Sequence, residues 1–493
     1  MTAVSGTETS VKRTHHRLTL AVLTLAAMAY ALLQSLVLPA LPAMQRELHV
    51  SQTAITWMLT SYLLSASVAT PTVGRLGDMY GKQRVLGVVM LVLAAGTLLS
   101  ALASSFELVL AGRFLQGVGG GIFPLGFGII RDEFPAAEVP GGIGLMSSVI
   151  GIGGGAGVVL SGVIVKSASY HWLFWLPLGV IVVATIAVYV LVPDSPVRVP
   201  GRVNWPAAVL LSVGITVALV AVSEAIPWGW GSARTVGLLL AGLALLAAWV
   251  RTETRAAEPL VDMRTLRIRG VWSTNLVAFL VGVGMYSSFI LIPQYVQEPV
   301  STGYGLGASV LAAGFYLAPL TLAMLFAGQF TGMLDRLIGS KGTLMVGMTC
   351  SAAAFALLAF TPHASSTLYF ASGCVGIGTG LVFAALPNLI VQNVPREDTG
   401  MATGVNTVMR TLGGALGGQL AATLLAGSLT ATGLPDEMGY GLAFGMCAGA
   451  LITALAAGLL IPDPRDNNEA LMSQPLQLTG SAAASDSLTI SEV

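Results

Sequence analysis

One short polar loop between two long apolar stretches carries the side chains best suited to chemistry. Residues 74–84, GRLGDMYGKQR, hold three basic groups, one carboxylate and three glycines, although charged residues make up only 9% of the chain. A carboxylate at a helix end can pair with an arginine, such as Arg131, or with the positive N-terminus of another helix. Glycine lets two backbones approach closely. We predict a gating contact that forms and breaks, made by Gly74, Asp78, Gly81, Lys82 and Arg84.

Two arginines lie inside apolar stretches, where a charged side chain needs a partner. Arg113 is about five residues into one stretch and Arg410 is about ten residues into another. At the centre of a bilayer an arginine costs at least ~2.5–3.5 kcal/mol on insertion scales. We expect Arg410 to line a wet cavity or to meet polar neighbours. Arg113 either does the same or extends toward the outer interface.

The acidic residues mostly avoid the apolar stretches. Glu224 is the one acid inside such a stretch, and it precedes an aromatic run that holds Trp228 and Trp230. It is either a titratable group that takes part in proton movement or an interfacial acid beside an aromatic belt.

The composition indicates a membrane protein. The chain has 493 residues, is 55% hydrophobic and has a mean hydropathy of +0.81, which is more apolar than a soluble domain requires. The formal net charge is zero, so nothing favours a nucleic-acid partner. The three cysteines lack metal-ligand spacing and no P-loop is present. We therefore predict no metal, no cofactor and no ATP-driven chemistry.

The elements that must position these residues are membrane-spanning helices, which need about 20 apolar residues each. We predict an all-α polytopic fold with fourteen of them, at residues 18–38, 54–74, 85–103, 108–130, 140–164, 171–192, 206–225, 234–250, 271–293, 307–330, 343–361, 367–390, 400–427 and 440–461. An even number puts both termini on one side. With the termini inside, 18 of the 23 Lys and Arg residues are cytoplasmic, as the positive-inside rule requires. The alternative to a gating contact is that the charges in the 74–84 loop only set this topology.

An internal repeat divides the spans into two parallel halves. Pro135 matches Pro395 and Gly144 matches Gly404 at an offset of 260 residues, and a weaker echo of the 74–84 loop follows residue 331. The echo adds Asp335 and Arg336 to the predicted gating residues. Parallel repeats are a transporter architecture. We predict a cytoplasmic tail at 1–17, a six-helix half at 18–192, an inserted helix pair with its linkers at 193–270, a second six-helix half at 271–461 and a disordered cytoplasmic tail at 462–493.

These motifs resemble the major facilitator superfamily, and specifically its fourteen-span drug:proton antiporters. Gly74, Leu76, Asp78, Gly81, Lys82 and Arg84 match that superfamily's motif A. Arg113, Gln116, Gly117 and Gly119 match its motif B. The run GGGAG at 153–157 is similar to motif C, although Val158 stands where that motif has proline. The first span also lacks the aspartate that many drug antiporters carry.

The resemblance implies a transporter of the plasma membrane and not an enzyme. Such a protein exports hydrophobic or amphiphilic small molecules, including drugs and antibiotics, by proton antiport with alternating access. The 74–84 loop would then latch the halves in the outward-open state. Arg113 and Glu224 are the predicted coupling residues. Small-molecule substrate, protons and the lipid bilayer are the expected partners, and we expect a monomer.

Polar and aromatic residues within both halves are the candidates for substrate contact. They are Gln34, Met146, Asn275, Tyr286, Gln294, Tyr316, Asn388, Asn406 and Arg410. A cavity with an arginine and almost no acid favours neutral, zwitterionic or anionic amphiphiles. The alternative is a transporter of one specific metabolite or lipid with other or no proton coupling, which the missing first-span acid favours.

Overall fold

The computed structural model describes residues 5–37, 39–50, 52–194, 204–256, 259, 261–360, 364–429 and 434–462. Over these ranges the chain is helical, and the only β-structure there is one isolated bridge between Leu429 and Pro435. The predicted all-α class is therefore confirmed. The tail predicted at 462–493 lies outside the described residues except for its first position. The tail predicted at 1–17 is helical from Ser5 onward.

Eighteen α-helices account for the described chain. The first half contains α1 Ser5–Val37, α2 Leu41–Leu48, α3 Gln52–Tyr80, α4 Lys82–Leu102, α5 Phe106–Gly117, α6 Ile122–Glu133, α7 Val139–Ser167 and α8 Trp172–Leu191. The inserted segment contains α9 Trp205–Ser223, α10 Ala225–Trp228, α11 Ala233–Arg255 and α12 Met263–Arg267. The second half contains α13 Arg269–Met285, α14 Ser288–Gln297, α15 Val310–Phe360, α16 Ser365–Asn393, α17 Thr399–Ala426 and α18 Glu437–Gly458.

Each of the fourteen predicted spans falls on one of these helices or on a continuous pair of them. Eleven helical segments of the described chain are long and apolar enough to cross a membrane by length and composition. Two helices, α3 and α17, are not among the eleven, and the kinked α15 counts once although two predicted spans lie in it. The count of fourteen therefore stays a prediction.

Two glycines end the helices at equivalent places in the two halves. Gly81 has φ 102° between α3 and α4, and Gly339 has φ 77° at the kink inside α15. Positive φ is readily adopted only by glycine. These two backbone conformations explain why the 74–84 loop and its echo both keep a glycine after the aspartate.

The apolar core is divided in the same way as the sequence. One cluster of buried side chains joins α1 to α8, and a second joins α13 to α18. A third cluster packs Leu211 and Ile215 of α9 near Met401 and Val408 of α17. Because α9 contacts α3, α11 and α17, the inserted pair lies along the line where the two halves meet.

The halves meet mainly along two helix pairs, which we call the seams, with α6 adding contacts at the first and α16 at the second. In the first seam α3 packs against α17, and in the second α7 packs against α15. A Cβ atom on Gly74 would clash with the Gly400 carbonyl oxygen, and one on Gly144 would lie 2.5 Å from the Gly328 oxygen. Both seams therefore bring backbone against backbone, as small residues allow in membrane helices.

Candidate gate and central cavity

Asp78 crosses the first seam to the beginning of another helix. It is fully buried at the end of α3, and its Oδ2 accepts a hydrogen bond of 3.1 Å from the backbone N–H of Met401. Met401 lies in the first turn of α17, where the N–H groups have no partner within the helix and the helix dipole is positive. Asp78 is therefore paired with a helix N-terminus, one of the two kinds of partner predicted for it.

Lys82 links that carboxylate to a second buried acid. Its Nζ lies 3.3 Å from Asp78 Oδ1 and 2.8 Å from Asp132 Oδ2, and all three side chains are inaccessible to solvent. Buried charges persist when they are paired and hydrogen-bonded. The sequence reasoning missed Asp132, although the polar triplet 131–133 at the end of the fourth span was a signal for it.

Arg131 also crosses the first seam but does not contact Asp78. Its guanidinium donates hydrogen bonds to the carbonyl oxygens of Val394 at 2.7 Å and Pro395 at 3.0 Å, and to Thr399 Oγ1. These groups lie just before and at the start of α17. Arg131 thus fixes the position of the same helix end that Asp78 binds. We call Asp78, Lys82, Arg131, Asp132 and residues 399–401 the first gate cluster.

The inserted pair is tied to this cluster through Asp398. Arg75 lies 3.9 Å from Asp398 Oδ1, and the hydroxyl of Thr265 on α12 donates to Asp398 Oδ2 at 2.9 Å. Burial raises the pKa of Asp398, and the Thr265 hydrogen bond and the charge of Arg75 lower it. One carboxylate therefore joins the first half, the second half and the inserted segment.

Arg84 lies apart from the seam. Its side chain is 64% exposed and is 3.3 Å from Asp194, which follows the end of α8. An exposed pair of this kind contributes ~0–1 kcal/mol, so the structure gives Arg84 no contact with the gate.

The echo of the loop forms a different set of contacts. Asp335 accepts hydrogen bonds from Ser340 Oγ at 2.7 Å, from Thr343 Oγ1 at 2.6 Å and from Asn388 Nδ2 at 3.3 Å, all in its own half. Asn388 also donates to the Pro140 carbonyl oxygen at 3.4 Å across the second seam.

Arg336 crosses the second seam from the same place. It donates to the carbonyl oxygen of Ala137 at 3.1 Å. We call Asp335, Arg336, Ser340, Thr343 and Asn388 the second gate cluster.

A cavity of about 60 Å³ lies between the halves, away from the gate clusters. Its polar and aromatic lining includes Tyr30, Gln34, Tyr62, Phe123, Tyr286 and Arg410. The described lining has no carboxylate. Small-molecule sites usually measure about 300–1,000 Å³, so the cavity must widen before it can hold a drug-sized ligand.

Each membrane arginine is covered by an aromatic ring. The Arg113 guanidinium is fully buried 4.3 Å from the centroid of the Tyr62 ring, and its Nη1 donates to Gln116 at 2.8 Å. The Arg410 guanidinium lies 4.2 Å from the centroid of the Phe383 ring. Cation–π contact of this kind stabilises a desolvated cation. Arg113 is therefore held inside the first half and does not extend to a membrane surface.

The structure brings three of the nine predicted substrate residues to the cavity, namely Gln34, Tyr286 and Arg410. Asn275 and Asn406 bind one another at 3.0 Å between α13 and α17. Asn388 belongs to the second gate cluster.

The remaining three lie in other places. Met146 packs within the first half, where it adjoins Gly126. Tyr316 stacks on Tyr369 with 4.5 Å between ring centroids. Gln294 lines a separate pocket described below.

The predicted coupling residue Glu224 caps the end of α9 and is partly exposed. The sequence reasoning did not single out the cavity aromatics Tyr30 and Tyr62. Their rings lie 5.8 Å apart, and the signal for them was an aromatic residue inside each of the first two spans.

Comparison with known proteins places the chain in a family. The family model of the Major Facilitator Superfamily matches residues 23–418. The tetracenomycin C resistance and export protein of Streptomyces glaucescens is 29% identical over 78% of this chain and 71% of its own length. The lincomycin resistance protein of Streptomyces lincolnensis is 29% identical over 74% and 75%.

Other relatives differ in length, and a solved structure agrees in fold. The chain spans 54% of two uncharacterized transporters of Mycobacterium tuberculosis to which it is 31% identical. The solved proton:xylose symporter XylE has a TM-score of 0.65 at 13% identity, over 92% of this chain and 97% of that one, which shows a shared fold alone. The predicted resemblance is thus confirmed: the chain belongs to the major facilitator superfamily.

Proposed function

We propose that this chain is a secondary active transporter that exports hydrophobic or amphiphilic small molecules across the plasma membrane by alternating access. The observation that carries the proposal is a central cavity between two halves that are joined at one end by hydrogen bonds and charged groups. Relatives named for antibiotic export and resistance support the direction and the substrate class. We place both termini in the cytoplasm.

The cavity lining favours particular substrates. Aromatic rings and one guanidinium face the cavity, and its described lining lacks a carboxylate. A dicationic ligand would be repelled by Arg410, whereas a neutral, zwitterionic or anionic amphiphile would find an apolar wall and a hydrogen-bond donor.

The first gate cluster is proposed to hold the cytoplasmic end closed. Asp78 and Arg131 bind the start of α17 from the other half. When the end opens, these contacts must break together, and their loss must be offset by substrate or proton binding. The gate therefore sets the rate of the conformational change more than the affinity for substrate.

Proton antiport is proposed as the driving reaction. Asp78 and Glu224 are the titratable candidates, and Arg113 is the candidate for coupling through its neighbours. Protonation of Asp78 would remove the negative charge that attracts both Lys82 and the α17 terminus, which is a direct way to release the first seam.

The test is efflux from proteoliposomes that contain the purified full chain. An antibiotic or a fluorescent amphiphile is followed while a pH gradient is imposed, and protein-free liposomes are the control. Efflux should require the gradient and should be lost when an ionophore collapses it. Efflux at the full rate after collapse would refute proton antiport, and the absence of efflux for every compound in a broad panel would refute multidrug export.

Transport of one specific metabolite or lipid is the second candidate, and the absence of an acid in the first span favours it. The same panel separates the two, because a specific transporter should move one chemical class and leave unrelated amphiphiles inside the vesicles.

A further inference from the structure

A second pocket lies at the end of the second half opposite the gate clusters. It is formed by the end of α14, the last turns of α17 and the start of α18, and it measures about 420 Å³, within the usual range for small-molecule sites. Its apolar wall includes Ile290, Leu291, Ala421 and Leu425. The pocket could therefore hold the apolar body of a small molecule without any widening.

One carboxylate faces this apolar wall. Glu298 lines the pocket, and its Oε1 accepts a hydrogen bond of 2.9 Å from the hydroxyl of Tyr440. Tyr440 is only 1% exposed and is fixed by Tyr295 and Tyr304, whose ring centroids lie 5.2 Å and 5.7 Å away. A tyrosine cluster thus orients the carboxylate, as a built site requires.

Within the part of the chain that the structure describes, no basic side chain neutralises the charge of Glu298. None of the four ion pairs found among the described residues involves it. The amide groups of Gln294 and Gln297 adjoin it in the pocket lining. We propose that this pocket binds organic monocations with an apolar body, with the cationic centre at Glu298 and the body against α14 and α17.

The chemistry differs from that of the central cavity. There the one charged group of the described lining is Arg410, which repels a cation, whereas Glu298 attracts one. Charge attraction is stronger beside an apolar wall than in bulk water, and a carboxylate with aromatic neighbours suits ammonium and phosphonium groups.

The two sites lie along one face of the same helices. Tyr286 lines the central cavity, and Ile290 and Gln294 line the outer pocket. These positions follow each other at four-residue steps, so they share a helix face. The binding claim itself does not depend on transport and goes beyond the proposed export of substrates from the centre.

The experiment measures equilibrium binding of tetraphenylphosphonium to the purified full chain in lipid nanodiscs. Tetraphenylborate, an anion of the same shape, is the matched probe. We expect tetraphenylphosphonium to bind and tetraphenylborate not to compete for the same site. Glu298→Gln should weaken binding about tenfold or more, because the positive charge of the probe loses its attraction to a carboxylate beside an apolar wall. Tyr440→Phe should weaken it less, because the carboxylate stays but is less well oriented.

Glu107→Gln is the control, since it removes an equal charge at the exposed start of α5 in the first half, outside the pocket lining. It should leave binding unchanged. Unchanged binding in Glu298→Gln, or equal losses in both variants, would overturn the proposal. If Glu298→Gln does not fold, Ala422→Phe decides, because it fills the pocket and keeps the carboxylate, and unaltered affinity would again refute the site. Efflux of a neutral substrate from the central cavity should persist in Glu298→Gln, so failure of this site and failure of the export proposal are separable.

Discussion

The two gate clusters have related sequences, but their aspartates bind different partners, one in the opposite half and one in its own half. In the first, Asp78 reaches the start of α17 in the other half. In the second, Asp335 is occupied by Ser340, Thr343 and Asn388 of its own half. A repeated motif therefore does not guarantee a repeated contact.

A difference of one residue explains the change of direction. Gly81 follows Asp78 by three positions, whereas Gly339 follows Asp335 by four. Both glycines end their helices with positive φ. One extra residue rotates the carboxylate by about 100° around the helix axis, away from the seam and toward α16. In the first cluster a carboxylate crosses between the halves, whereas in the second the groups that cross are Asn388 and Arg336, and both bind backbone carbonyl oxygens.

The largest expected difference is between Lys82 of the first gate cluster and Lys341, a lysine that follows Gly339 by two positions beside the second gate cluster. Lys82→Ala leaves Asp78 and Asp132 buried without their shared cation, which should destabilise the protein by ~3–5 kcal/mol. Lys341→Ala removes a hydrogen bond of 2.6 Å from the lysine Nζ to the Ile461 carbonyl oxygen, a loss of ~1.5–3 kcal/mol at most. Chemical denaturation in detergent measures both variants. Equal destabilisation would mean that the buried Asp78, Lys82 and Asp132 charges stabilise the protein no more than the single hydrogen bond of Lys341 does.

The next difference is between the two aspartates, and it is measured as the rate of transport. Asp78→Asn should lower the export rate about tenfold or more with little change in substrate affinity, because the seam loses a charge-assisted bond worth ~1.5–3 kcal/mol. Asp335→Asn should lower it far less, since its partners belong to its own half. Initial efflux rates and substrate binding are measured on the same preparations. A large loss of affinity in Asp78→Asn would place Asp78 in substrate binding and refute its role in the gate.

The arginines that cross the seams should differ by a smaller amount. Arg131→Gln removes donors to Val394, Pro395 and Thr399, whereas Arg336→Gln removes a donor to Ala137. We expect the cytoplasmic end to open more often in Arg131→Gln than in Arg336→Gln. The open population should rise roughly tenfold relative to the unaltered chain, which corresponds to ~1.4 kcal/mol. Labelling rates of a cysteine placed in the central cavity, with reagent added from the cytoplasmic side, report this opening. Faster labelling in Arg336→Gln would reverse the ranking.

The smallest effect is expected for the link to the inserted pair. Thr265→Val keeps the side-chain shape and removes the hydrogen bond to Asp398, a loss of ~1 kcal/mol. The same cysteine-labelling assay should show a few-fold increase, smaller than that of Arg131→Gln. No change would show that α12 packs beside the first gate cluster without stabilising it.

Much of the fold could be predicted from local sequence. The predicted spans coincide with helices because twenty apolar residues in succession have few alternatives in a bilayer. The 74–84 loop and its echo could be found from the sequence because charged residues make up only 9% of the chain. The sequence also predicted that Arg113 and Arg410 need partners, because a charged residue in an apolar stretch must find one.

The partners of these groups depended on tertiary structure. Asp78 meets Met401, which is 323 positions away. Lys82 meets Asp132 because the start of α4 lies beside the end of α6. Gln34, Tyr286 and Arg410 face one cavity, while Asn275 and Asn406 face each other.

The sequence by itself determined the helices, their order, the family and the places where charge enters the membrane, because these follow from hydrophobicity and chain-local residue types. Only the tertiary structure decided which carboxylate crosses a seam, which arginine faces the cavity and where Glu298 meets an apolar wall. The physical reason is that hydrophobicity is much the same all around a membrane helix, so its rotation is set by close packing against distant segments.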